Sequence, residues 1–254
     1  MAYPPNSRPF QPSYVSAAEI DGGLRGYMLS VYNWMTSGLL LTGIIATLIG
    51  HTSAITLFYH PVITEFGTRY APTGLGYLSM FAPLGFVMVL SFGVNRLSVS
   101  TAQTLFWLFC ATMGASIANI FLIYTGTSVA RAFFITAGTF AAMSLYGYTT
   151  KSDLTRMGSF LMMGLFGIII ASVVNMFVHS SAMQFAISVI GVLVFVGLTA
   201  YDTQRIKADF INYAQSYSPE VAAKRGVFDA LALYLNFINL FMLILQFTGN
   251  RDRS

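Results

Sequence analysis

Seven stretches of mostly apolar residues divide this chain of 254 residues, at roughly 28–50, 74–94, 101–123, 129–149, 157–178, 182–201 and 228–247. A helix of about 20 residues matches the ~30 Å hydrocarbon core of a bilayer. Lipid accepts only segments that satisfy their own backbone hydrogen bonds, and with 9% charged residues against the ~25% of a soluble domain the chain has little else to offer. The expected fold is an all-α membrane protein, a seven-transmembrane-helix bundle embedded in the lipid bilayer. The links Lys151–Arg156 and His179–Ser181 are short enough to make the fourth, fifth and sixth windows antiparallel neighbours.

Three regions follow. Residues 1–27 are polar and proline-rich and lack the apolar core of a cleaved signal peptide. They read as a flexible N-terminal tail, with room for a short interfacial helix from Ala17 to Tyr27. Residues 28–248 form the transmembrane domain, and 249–254 a short C-terminal tail. The loop at 51–73 is not strongly polar, and its segment Ala54–Pro61 is expected on the membrane surface or as an extension of a neighbouring helix.

Orientation comes from the basic residues. Placing the N-terminal tail and the loops after windows two, four and six on one side collects Arg8, Arg25, Arg96, Lys151, Arg156, Arg205, Lys207, Lys224 and Arg225, against Arg69 and Arg131 on the other. The positive-inside rule makes the first side, and the N-terminus, cytoplasmic. Arg251 and Arg253 resist this scheme, because seven crossings put them outside. A full final crossing is still favoured over a re-entrant segment, since 228–247 is long enough to span.

Several function classes are excluded or made remote. The net charge of +4 is spread over inter-helix loops, so it reports topology and not nucleic-acid binding. Cys110 is the single cysteine, and no intrachain disulfide can form. His51, His60 and His179 have no metal-ligand spacing, no phosphate-binding loop ends in G-K-[ST], and the last window has no lysine to carry retinal. The chain is not expected to be an enzyme or to hold a resident cofactor.

Polar residues at membrane depth are costly and each needs a partner. The sixth window ends in G-L-T-A-Y-D-T-Q-R-I-K (Gly197–Lys207), and the seventh contains F-D-A-L-A-L-Y-L-N-F-I-N-L-F (Phe228–Phe241). On an ideal helix Asp229, Asn236, Asn239 and Gln246 share a stripe about 100° wide, which is expected to face protein or water. Each has a plainer reading too. The amides can join helices by hydrogen bonds, Asp229 can complement a helix N-terminus near Gly226, Asp202 can be a helix-end carboxylate among Arg205 and Lys207, and Arg96 an ordinary cytoplasmic anchor. Small residues at Gly114/Ala118 and Gly138/Ala142 suggest tight internal packing.

These two stretches together resemble the signature of the transmembrane Bax inhibitor motif family, also called the Bax inhibitor-1 family, and the short tails resemble its bacterial members. The resemblance implies seven helices with the seventh central, flanked by two three-helix groups, in a bacterial inner membrane. It also implies a passive, pH-modulated Ca²⁺ or cation leak, governed by two aspartates that share a proton and are latched by an arginine of the second helix. Carried over by position, the first aspartate is Asp202, the seventh-helix position is Asn236, and the arginine is Arg96. An amide at 236 cannot ionise, so the carboxylate pair that would sense pH is missing its second member. Asp229, one heptad earlier, offers a second carboxylate ~10 Å away along the helix. On this reading Asp202 and Arg96 form the latch, Asn236, Asn239 and Asp229 line or support the path, and Asp202 and Asp229 hold Ca²⁺ transiently as oxygen ligands. The competing reading is a non-conducting regulator that binds a membrane-anchored ATP-dependent protease, or another membrane stress-response partner, through residues 1–27.

Overall fold

A computed structural model of the protein describes residues 17–64, 67–93, 96–213 and 218–250. The proline-rich part of the N-terminal tail, and Arg251 and Arg253, lie outside the described residues. The elements are α1 (Ala17–His51), α2 (Ile55–Phe58), β1 (Tyr59–Thr64), β2 (Gly67–Pro72), α3 (Gly74–Gly93), α4 (Val99–Ile117), α5 (Ile120–Ile123), α6 (Gly126–Thr149), α7 (Thr155–Val178), α8 (Ser181–Tyr213) and α9 (Pro219–Thr248). Seven helical segments among the described residues are long and apolar enough to cross a membrane, one for each apolar window.

Residues 17–27, where a short helix was expected, are helical and form the first turns of α1, continuous with the first span. The loop at 51–73 contains an antiparallel hairpin, with Tyr59 opposite Pro72 and Ile63 opposite Thr68. Its segment Tyr59–Thr64 mixes β-branched and aromatic residues with a proline, a pattern too short for periodicity to separate strand from helix.

Helix ends are set by local chemistry. Ser98, Thr125 and Ser218 cap α4, α6 and α9 by accepting from the backbone N–H three residues on. Pro219 and Glu220 stand in the first turn of α9, where a missing N–H costs nothing and a carboxylate is favoured. His179 closes α7 at φ 54°, the αL position that lets the chain turn directly into α8.

The spans form two groups. α1 and α3 pack on α4, and α6 and α7 on α8. α9 packs against α1 and α4 of the first group and α6 and α8 of the second. Its most apolar window is 67% buried, against 17–39% for the other six. Leu233, Tyr234, Leu240 and Leu245 are fully buried, and Tyr234 rests edge-on against Phe106 and Phe109 of α4. The expected internal packing of Gly114 is present, with the Thr42 carbonyl of α1 where a Cβ would go, whereas Gly138 faces open space.

α9 runs the full length of the bundle. At its start Lys224 Nζ donates to the Leu97 carbonyl, in the link between α3 and α4. At its far end Asn250 N–H donates to Ser128 Oγ, and the Asn250 carbonyl accepts from Thr125 N–H, at the opposite end of the bundle where α6 begins.

Candidate functional site

α8 has 33 residues, so it is ~50 Å long and outruns the hydrocarbon core. Asp202 lies 21 residues into it, ~31 Å from its start, where the apolar part gives way to charge. Each residue of the Tyr201–Lys207 motif is used at this level. The Tyr201 ring lies over Gly158 of α7 so closely that a side chain there would collide with it. Thr203 Oγ1 donates to the Thr199 carbonyl and shares a hydrogen bond with Ser144 of α6. Gln204 accepts from Leu154 N–H and donates to the Ser152 carbonyl, 2.8 Å each, fastening the link between α6 and α7. Lys207 donates to the Tyr148 carbonyl at 2.8 Å and lies over the Tyr148 ring.

Asp202 is held from two sides. Asn236 Nδ2 of α9 donates to Oδ2 at 2.7 Å. Arg205, three residues on and therefore on the same helix face, reaches Oδ1 with Nε at 3.1 Å and its terminal nitrogen at 3.0 Å. The Asp202 side chain is 15% exposed and Arg205 36%. Asn236 is buried, so its amide has exchanged water for a carboxylate across the helix pair.

Asp229 is buried a further two turns along α9. Tyr27 of α1 donates its hydroxyl to Oδ2 at 2.6 Å, and the Tyr27 ring stacks on Phe210 of α8 with centroids 4.9 Å apart. Three helices therefore meet at this carboxylate. It is mid-helix, ten residues past Pro219, so it does not serve the helix N-terminus. Arg225 pairs with Asp209 at 2.7 Å between α9 and α8. Among the described residues no three His, Cys, Asp or Glu side chains converge on one point.

Of the residues singled out from the sequence, Asp202 and Asn236 are brought into contact. Arg96 is not part of that contact. It stands exposed in the turn after α3, and the guanidinium on Asp202 is Arg205. Asn239 and Gln246 fall on the outer edge of the stripe and are exposed. Gln246 Oε1 accepts from Gln184 Nε2 at 3.0 Å, and Gln184 Oε1 accepts from Asn175 Nδ2 at 3.1 Å, a chain of amides joining α9, α8 and α7 at the far end. Tyr27 has no local signal, since it meets Asp229 across 202 residues of sequence. Arg205 did have one, its i,i+3 spacing from Asp202.

Comparison with known proteins places the chain in a family. A family model described as "Inhibitor of apoptosis-promoting Bax1" matches residues 24–253. An uncharacterized protein of Rickettsia prowazekii is 48% identical over 91% of this chain and 92% of its own length. A protein of Caulobacter vibrioides is 43% identical, covering 92% of each chain. The Escherichia coli inner membrane protein YbhL is 42% identical over 93% of this chain and 96% of its own length. With its multi-pass helical fold and both signature stretches meeting at Asp202 and Asn236, this chain belongs to the Bax inhibitor-1 family.

Proposed function

We propose that the protein is a passive leak for cations, Ca²⁺ foremost, in the inner membrane, with its N-terminus cytoplasmic. The observation that carries this reading is the Asp202 carboxylate, held at the edge of the apolar core by the Asn236 amide on one side and Arg205 on the other. A carboxylate engaged on both oxygens is closed to a passing cation, and releasing either partner frees a hard oxygen ligand. Asn239 supports a path beyond it, because an exposed amide at membrane depth is tolerated where it borders water. Gln246, Gln184 and Asn175 continue the polar trail to the far end. The closure is a charge-assisted latch within α8 and α9, with Arg205 in the role expected of Arg96.

Ca²⁺ flux from liposomes containing the purified protein at pH 6, 7 and 8 tests the reading. Arg205→Gln is expected to raise the leak several-fold and Arg96→Gln to leave it unchanged, while Asp202→Ala alters it at every pH. Asn236→Asp is expected to add a pH step that the wild type lacks. If no variant conducts above protein-free vesicles, the leak fails, and affinity capture of a membrane-anchored protease tests the regulator reading instead.

A further inference from the structure

α1 and α6 flank a groove that Phe237 of α9 borders at one end. Two cavities of about 610 and 670 Å³ adjoin in it, both bordered by Met35 and Phe140. They follow α1 from Arg25 to Leu48, ~35 Å of helix, which is the full height of the hydrocarbon core. The walls are almost wholly apolar, and Gly43 faces open space, since a Cβ there would meet nothing within 4 Å.

The occupant is decided by the chemistry of the walls and by charge. The apolar walls run the height of the hydrocarbon core and suit an acyl chain. One end of the groove is cationic. Arg25 lines it, exposed and without a carboxylate partner among the described residues. Tyr148 lines it as well, with the Lys207 ammonium over its ring at 4.9 Å from the centroid. Both cations lie at the end of the bundle that holds Asp229, at the depth of the headgroups, where a phosphate on a glycerol backbone sits.

We propose that this groove is a binding site for one anionic glycerophospholipid, its phosphate at Arg25 and one acyl chain laid along Gly43 against Phe237. The bound chain completes the wall that α1 and α6 leave open, so the lipid is a structural ligand of the bundle. The groove shares no lining residue with the Asp202–Asn236–Arg205 contact.

Native mass spectrometry of the detergent-purified full chain, titrated with phosphatidylglycerol or phosphatidylcholine of the same acyl composition, tests it. The wild type is expected to retain one phosphatidylglycerol with a roughly fivefold preference over phosphatidylcholine, the factor one cation contributes at a membrane surface. Arg25→Gln should abolish the preference but keep binding, and Gly43→Phe, which fills open space without a clash, should abolish retention of both. Gly85→Phe, equally unobstructed on α3, should behave as wild type. Equal retention of the two lipids by the wild type, unchanged retention in Gly43→Phe, or a dimer that Gly43→Phe dissociates would each overturn the proposal.

Discussion

Asn236→Asp places a second carboxylate where the Asn236 amide now donates to Asp202 Oδ2 at 2.7 Å. Two unit charges ~4 Å apart repel by ~4 kcal/mol at an effective dielectric constant near 20, and the half-exposed Arg205 offsets part of this. The pair can avoid the repulsion by keeping a proton between its oxygens. Holding that proton costs ~1.4 kcal/mol for each pH unit above the ordinary carboxylate value of ~3.9, about 1.5 kcal/mol at pH 5 and about 4 at pH 7. The variant adopts whichever form is cheaper, so its destabilisation grows from ~1.5 kcal/mol at pH 5 to a plateau of ~3–4 at pH 7. The sign follows from linkage. The folded variant binds a proton that the unfolded chain releases, so its stability falls as pH rises. At ~2–4 °C per kcal/mol for a chain of this size, the Tm gap to wild type widens from ~4 °C at pH 5 to ~10 °C at pH 7. Circular-dichroism melts in detergent at pH 5, 6, 7 and 8 read this directly. A gap that stays constant across the series refutes the contact between positions 202 and 236.

Other variants probe the surroundings. Tyr27→Phe removes the hydroxyl that donates to buried Asp229 at 2.6 Å, and leaving a buried acceptor without that donor is expected to lower stability by ~1–3 kcal/mol in the same melts. Tyr59→Phe has the opposite sign. The Tyr59 hydroxyl is buried with no partner among the described residues, burial pushes its pKa above the ordinary value, and its removal should raise stability by ~1 kcal/mol. Gly147→Leu forces a side chain into the Ala200 backbone of α8, where none fits; it should cost ~1–3 kcal/mol or prevent folding, whereas Gly138→Leu, on the same helix but facing open space, should express and melt as wild type.

The seven spans were legible because lipid imposes one requirement on every segment, and length and apolarity meet it locally. The hairpin was not, since six-residue strands carry too little period to oppose a helix reading. At the site, Asp202 and the α9 polar residues stood out against an apolar background, and the motif around Asp202 was visible as a motif. Which cation would face Asp202 was not settled by side-of-membrane arguments, which admit any arginine at that end. Arg205 takes the place because a neighbour three residues away is already positioned, while Arg96 must cross from another helix.

By itself the amino-acid sequence determined that the chain spans a membrane seven times as helices, and that Asp202, Asp229 and Asn236 need partners there. Both conclusions rest on the cost of leaving polar groups unsatisfied in hydrocarbon, a cost that attaches to residue types wherever they stand. Only the tertiary structure decided which partners those are: the Asn236 amide and Arg205 for Asp202, and Tyr27 for Asp229. It alone decided that Asn239 and Gln246 lie outside the buried face, and that α1 and α6 flank a groove. Helix rotation and spacing come from how side chains of distant segments interlock, and no local pattern encodes that.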